Sequence, residues 1–291
     1  DTMKKRNLYL SLALAVLTLG QQSCDNLPDE QFDKYVLMTR NGFIDREIVY
    51  NASGKATTEV SVSVSGSSDV AHDVEVEVEV YPDTLDQYNF EKFRTDSASY
   101  YDLAEHYTIP NPKLTIRKGE AYGVFDVVFD VKQMDKYKDF VLPLRIKSAS
   151  DYLVSPKASR VMLMHILLTN FFSGAYGMSA QFDGAYINLN RTLSVIDEQT
   201  CFTYIGNIET TDENKADYRL EISVNPTDSL ITLNAPGLDL QQEPSDRQNL
   251  KNVMVEDETE QRLYLQYSYV DPRDGRRKSF DGYLSQTITD R

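Results

Sequence analysis

Alternation with a period of two dominates the chain. Val60, Val62 and Val64 alternate with Ser61, Ser63 and Ser65, and Val74, Val76, Val78 and Val80 alternate with Glu75, Glu77 and Glu79. Successive side chains of a strand point to opposite faces. Each run therefore predicts a strand with valine on a buried face and a polar residue on a wet one. Gly66-Ser67-Ser68-Asp69 between them is turn chemistry, which predicts that the two strands pair as a hairpin. Further strands are expected at 35–38, 114–116, 123–131, 140–146 and 160–168. Pro143 has no N–H to donate and demotes the 140–146 strand to a sheet edge or a bulge. Residues 82–112 break the alternation and read as a long decorated connection, with short helices around 86–93 and 98–106. A second module begins near Phe171, with strands at 174–182, 185–189, 201–208, 218–224, 230–233, 262–269 and 280–288. Asp271-Pro272-Arg273-Asp274-Gly275 is a hairpin turn joining the last two, and 234–256 reads as loop. Many short strands with few helices predict an all-β chain of sandwich or barrel modules, at 32–168 and 169–291.

The first segment has another character. Lys4, Lys5 and Arg6 precede the apolar run Leu8 to Leu19. That run is too short to span a bilayer comfortably and reads as a cleaved export signal over 1–23. It ends at Gly20-Gln21-Gln22-Ser23-Cys24, which resembles the lipobox of bacterial lipoproteins. The resemblance implies a lipidated Cys24 at the mature N-terminus, followed by a tether over 24–31. An ordinary secretory signal with an incidental Cys is the alternative. A lipidated Cys24 predicts a protein anchored on the outer membrane and exposed at the cell surface.

Composition narrows the chemistry. The formal net charge of −15 argues against nucleic acid, whose phosphates need a basic footprint. With Cys24 carrying lipid, Cys201 stands alone in an apolar-aromatic stretch and is expected to be a small core residue. His72, His106 and His165 have no ligand-spaced partners, so no metal site is expected. Glu75, Glu77 and Glu79 read as a solvated outer face, with a calcium ladder as the alternative. There is no G-x-S-x-G elbow and no room for a (β/α)₈ barrel. No catalytic residue, cofactor or enzymatic activity is expected.

Aromatic residues carry the remaining signal. The chain has 19 Tyr and 12 Phe but no Trp. Tyr offers an apolar plane with a polar edge, which suits stacking on a pyranose. Tyr176, Phe182 and Tyr186 cluster near the start of the second module, and Tyr267 and Tyr269 share a strand face near its end, with Tyr264 opposite. These are the candidate ligand-binding residues. The region 88–107 on the long connection, with Tyr100 and Tyr101, forms the competing site. Asp83-Thr84-Leu85, Asp96-Ser97-Ala98 and Asp228-Ser229-Leu230 resemble a short O-glycosylation pattern of exported bacterial proteins.

Longer segments resemble known domains. Residues 107–129 (YTIPNPKLTIRKGEAYGVFDVVF) and 139–166 (DFVLPLRIKSASDYLVSPKASRVMLMHI) resemble the N-terminal, Ig-like domain of a family of Bacteroidota surface lipoproteins found in polysaccharide-utilisation systems. Residues 172–178, 193–206 and 263–284 resemble the calycin-like β-barrel or sandwich domain that follows it. The resemblance implies an N-terminal Ig-like β-sandwich followed by a C-terminal antiparallel β-barrel or sandwich. It also implies a non-catalytic lipoprotein that binds glycan. The alternative is a structural lipoprotein that partners an outer-membrane transporter or receptor complex and touches no sugar.

Overall fold

The computed structural model describes residues 33–66, 69–94, 100–156 and 159–288. The export segment 1–23, Cys24, the tether 24–31 and Asp96-Ser97-Ala98 lie outside the described residues. The fold is all-β in two domains. The first contains β1 (Tyr35–Met38), β2 (Gly42–Val49), β3 (Lys55–Val64), β4 (Val74–Val80), α1 (Asp83–Phe93), β5 (Tyr101–Asp102), β6 (Tyr107–Thr108), β7 (Lys113–Ile116), β8 (Tyr122–Asp130), β9 (Phe140–Ala149), β10 (Leu153–Val154) and β11 (Val161–Thr169). They form two sheets. One runs β10-β1-β3-β8-β6; the other runs β2-β11-β9-β4-β7, with β5 beside β9.

The alternating valines do point inward, but from opposite sheets. β3 pairs with β1 and β8, whereas β4 pairs with β7 and β9. The expected β3–β4 hairpin is therefore corrected. The chain crosses from one sheet to the other, and Val60 and Val62 share a core with Val74, Val76 and Val78. Burying one such side chain stabilises the fold by roughly 1.5–3 kcal/mol, and only a two-sheet arrangement buries both runs at once. On the wet face, Glu77 and Glu79 meet Lys147 and Arg145 of β9 at 2.7 and 2.5 Å.

Pro143 sits in a central strand, not at an edge. The N–H and C=O of one strand residue face the same neighbour. The Pro143 carbonyl accepts the Tyr81 N–H at 2.9 Å, just past the end of β4, where Val80 pairs with Leu144. The missing N–H thus falls where the ladder stops. β9 is bulged, but elsewhere: the register slips at Lys147, between the Glu77–Ser148 and Val78–Ile146 pairs. Of the second expected helix, the described part from Tyr100 onward is β5 and a turn.

The second domain contains β12 (Gly174–Phe182), β13 (Ala185–Val195), β14 (Thr200–Tyr204), β15 (Arg219–Val224), β16 (Ile231–Asn234), β17 (Leu240–Gln242), β18 (Val253–Glu256), β19 (Glu260–Val270) and β20 (Arg277–Thr287). They form one nine-stranded sheet in the order β16-β15-β14-β13-β12-β20-β19-β17, with β18 beside β19. β17 and β18 replace the loop expected over 234–256. The sheet curls until its edges meet. Gln242 of β17 donates to the Ile231 carbonyl and accepts the Leu233 N–H, both at 2.7 Å, so one side chain bridges the seam to β16. Gly282 permits the close approach of β20 to β12, since a Cβ there would lie 2.3 Å from that of Ala180.

The two domains touch through named side chains. Tyr50 and Leu168 pack against both cores. Tyr137 donates to Glu221 at 2.9 Å, lies under the Arg219 guanidinium at 3.8 Å and meets the Phe202 ring edge-on.

Candidate functional site

The expected tyrosine cluster of the second domain does not form a surface site. Tyr176, Phe182, Tyr267 and Tyr269 are all buried core residues. The shared face of Tyr267 and Tyr269 is real, but the curled sheet turns it inward. Tyr267 stacks on Phe280 with centroids 4.8 Å apart, and Phe182 lies parallel to Tyr269. In a core without Trp, these rings are the bulky filling. Their hydroxyls are mostly satisfied internally. Tyr176 bonds the Phe172 carbonyl and Gln261, each at 2.7 Å, and Tyr267 accepts the Gly206 N–H. Tyr186 alone is open, 85% exposed beside the β12–β13 turn. These five residues do not form one ligand surface. Cys201 is buried beside Asn170, and burial pushes its thiol up to about 12, far from a reactive thiolate.

The long connection is different. The outer face of the β2-β11-β9 sheet carries Phe43 and Asp45 from β2, Leu163 and His165 from β11, and Val141 from β9. Strand register sets Phe43 beside Leu163 and Asp45 beside His165. α1 lies over this face. Leu85, Tyr88, Asn89 and Lys92 fall at i, i+3, i+4 and i+7, one stripe of a helix, and Leu85 is buried with Val141 and Leu163. Arg94 ends the helix in the left-handed region, its N–H bonded to the Phe90 carbonyl. The buried Asn89 amide then holds the returning chain: it donates to the Tyr100 carbonyl at 2.9 Å and accepts the Tyr100 N–H at 3.4 Å.

The result is a cluster of rings from three elements. Phe43 and Tyr88 stack at 4.9 Å with planes 12° apart. Tyr100 lies 5.1 Å from Phe43 and 5.6 Å from Phe93. The Lys92 ammonium lies beside all four rings, 4.8 Å from the centroid of Tyr100 and 5.3–5.5 Å from those of Phe43, Phe93 and Tyr88. It also donates to the Tyr100 hydroxyl at 2.9 Å, a bond that raises its pKa above the ordinary lysine value. His165 closes one side, its ring 5.3 Å from Tyr100 and 5.4 Å from Phe43. His165 Nδ1 lies 2.8 Å from Asp45, and Nε2 lies 3.9 Å from Asp139, too far for a hydrogen bond. Burial disfavours the imidazolium, but Asp139 and Asp45 outweigh it and raise the pKa.

Of the two connection residues, Tyr100 belongs to this cluster. Tyr101 does not: its ring lies near Phe140 and under Lys138 at 4.8 Å. Tyr88, Lys92 and Phe93 fall within the expected competing region, 88–107, whereas Phe43 and His165 lie outside it. The helical spacing of Tyr88 and Lys92 was a usable signal; the union of Phe43 with His165 exists only through strand pairing.

Other surfaces are less organised. A depression of about 680 Å³ lies between Asp228, Arg247 and Lys251. Another of about 440 Å³ lies by Lys34, Asp151 and Tyr152, beside the ion pair of His72 with Asp151. Among the described residues, no three His, Cys, Asp or Glu side chains gather to hold a metal ion.

Known proteins share this architecture. Residues 27–150 match the model of a domain of unknown function, DUF4973. Residues 160–285 match a second model, described as a C-terminal domain. The chain resembles both domain families, one after the other. No curated protein matches it. A protein of unknown function from Bacteroides ovatus superposes with a TM-score of 0.69 at 19% identity, over 87% of this chain and 94% of that one. An auxiliary nutrient binding protein from Bacteroides thetaiotaomicron gives 0.63 at 22% identity, over 84% and 91%. A second Bacteroides ovatus protein of unknown function gives 0.65 at 23% identity, over 89% and 94%. These likenesses establish a shared two-domain fold.

Proposed function

We propose that the chain is a lipid-anchored surface protein that binds glycan without catalysis, as an accessory of polysaccharide uptake. The carrying observation is the convergence of Phe43, Tyr88, Phe93 and Tyr100 on one outer face, with charged and hydrogen-bonding groups at the rim. Aromatic planes stack on the C–H face of a sugar, and polar groups beside them read its hydroxyls. The fold shared with a protein named for auxiliary nutrient binding is in keeping with this role. Lipid on Cys24 would hold the protein at the outer membrane, with the ring cluster facing the medium.

One observation favours an interaction role as a second reading. β8 presents Tyr122 and Val124 to solvent, and β6 pairs with it only at Val128 and Phe129. An incompletely covered edge with apolar side chains suits strand addition by a partner, such as a transporter subunit.

Affinity electrophoresis against plant, microbial and host glycans separates the two. Binding to one glycan class that is lost in the Phe43→Ala/Tyr100→Ala double variant supports glycan capture. Unretarded migration on every class, with a stoichiometric protein partner recovered from native membranes, favours the second reading.

A further inference from the structure

We propose that the outer face of β19, β20, β12 and β13 is a second, auxiliary glycan contact, which takes an uncharged run of pyranoses across the four strands between Tyr264 and Tyr186. This goes beyond the first-domain site and rests on the glycan-binding reading.

The inward turn of Tyr267 and Tyr269 has a counterpart. Side chains of a strand alternate between faces, so Tyr264 and Gln266 of β19 point outward and are half-buried. Strand register carries each outward position across the sheet. Tyr264 stands beside Tyr283, Tyr283 beside Ser179, and Ser179 beside Asn188. In the next row Gln266 stands beside Asp281, Asp281 beside Gln181, and Gln181 beside Tyr186. Three strand intervals make each row about 14 Å long. Tyrosines therefore stand at both ends. Tyr264 and Tyr283, with ring centroids 5.8 Å apart, mark one end, and the 85% exposed Tyr186 marks the other. Amides and a hydroxyl lie between them.

Two observations say what covers this face. The first is that its groups are unspent. Among the described residues, no hydrogen bond or ring contact engages the side chains of Gln181, Tyr186 or Asn188. An open ring thus stands beside amides that both donate and accept. Sugar hydroxyls also donate and accept, and the C–H face of a pyranose suits an unstacked tyrosine. Paired strands carry these side chains, so little order has to be gained on binding. The second observation is charge. The chain has a formal net charge of −15, yet the one ionic side chain within these two rows is Asp281, which accepts a bond from Gln266 Nε2 at 3.0 Å. At their border Arg262 is paired with Glu260 at 2.6 Å. A near-neutral patch on a strongly acidic protein suits an uncharged chain. A basic partner finds stronger attraction elsewhere on the surface, and a polyuronate is repelled by the net charge.

The test uses the intact two-domain chain. Galactomannan, arabinoxylan and amylopectin in native gels are the neutral polymers, polygalacturonate is the charged control, and mannohexaose, xylohexaose and maltohexaose are the short probes in solution. A polymer can engage both domains at once, so a second contact adds to retardation through effective concentration. Gln181→Ala/Tyr186→Ala alters exposed side chains only, and circular dichroism checks its fold. It is expected to weaken retardation by a neutral polymer about three- to tenfold and to leave migration in polygalacturonate as in wild type. In the Phe43→Ala/Tyr100→Ala variant, the matching hexaose should still shift the side-chain amide NMR signals of Gln181 and Asn188. Retardation unchanged by Gln181→Ala/Tyr186→Ala, or amide signals unmoved by all three hexaoses, overturns the second contact and leaves the first-domain site standing. Retardation by no neutral polymer overturns it too. Weakening in Gln181→Ala/Tyr186→Ala with full retardation of Phe43→Ala/Tyr100→Ala supports this face and sinks the first-domain contact instead.

Discussion

Replacing Asp271 by Asn probes the second domain at its most concentrated charge. Asp271 opens the β19–β20 turn and is fully buried. Oδ1 accepts the Tyr218 hydroxyl at 2.8 Å and the Arg273 main-chain N–H at 3.0 Å. The Arg273 guanidinium grips both oxygens, reaching Oδ2 at 2.7 Å, and Lys278 donates to Oδ2 at 2.6 Å. The Arg273 bonds lead in holding the carboxyl far below the usual carboxylate range, against the opposing effect of burial. Asn keeps the shape but presents an NH₂ where Oδ2 was, leaving Lys278 and one arm of the Arg273 guanidinium without their acceptor while the Arg273 Nε bond to Oδ1 survives. Each charge-assisted bond is worth roughly 1.5–3 kcal/mol. Arg273 is half exposed and recovers much of its loss from water, whereas Lys278 is largely buried. The expected loss is therefore about 3–4 kcal/mol, within the range for a broken buried pair. Urea unfolding with hydrogen exchange read at the β19 and β20 amides measures it. Because the folded pKa is depressed, the stabilisation is fully present above an unfolded value of about 3.9 and disappears as pH falls toward the folded value. The gap between wild type and variant should narrow below about pH 4. A loss under about 1 kcal/mol at neutral pH, or a gap constant down to pH 2.5, refutes the argument that a desolvated charge anchors this turn.

Three further outcomes are expected. Gly282→Ala should cost about 3 kcal/mol in thermal or urea unfolding, because its Cβ meets Ala180 and the Ser179 carbonyl at 2.3–2.5 Å, where only backbone could yield. Gln242→Leu opens the β16–β17 seam and leaves the Leu233 N–H unpaired, for a loss of about 1–3 kcal/mol, seen as faster amide exchange along β16. His165 has a raised folded pKa, so its ion pairs stabilise fully below its unfolded value of about 6.5 and are lost as pH rises through the folded value. The first-domain urea midpoint should fall as pH rises from about 6.5 through the folded value, and His165→Asn should remove that dependence.

Local pattern carried far into this fold and then stopped at pairing. The valine runs of β3 and β4 announced strands and their buried faces, because alternation is a property of one strand. Which sheet each strand joins depends on residues far away in sequence, and the turn-like Gly66 misled. β2 was invisible: in GFIDREIV the core-facing Ile44 and Ile48 are separated by Arg46, and its pairing with β11 spans more than a hundred residues. The tyrosines of β19 show the same limit in the site. Their common face followed from spacing, but its direction depended on curvature of the whole sheet. Tyr100 was legible because a long connection breaking the strand pattern signals an added structure. Its neighbours Phe43 and His165 were not, since only the β2–β11 register joins them.

We propose the outer face under α1 as the glycan contact. Isothermal titration of the glycan retained in the affinity screen, into wild type and Phe43→Ala/Tyr100→Ala, tests it most directly. Saturable binding is expected of the wild type and at least a tenfold loss of the double variant, with the buried second-domain tyrosines unperturbed. Full affinity in the double variant, with both domains folded, would place the glycan elsewhere and contradict it.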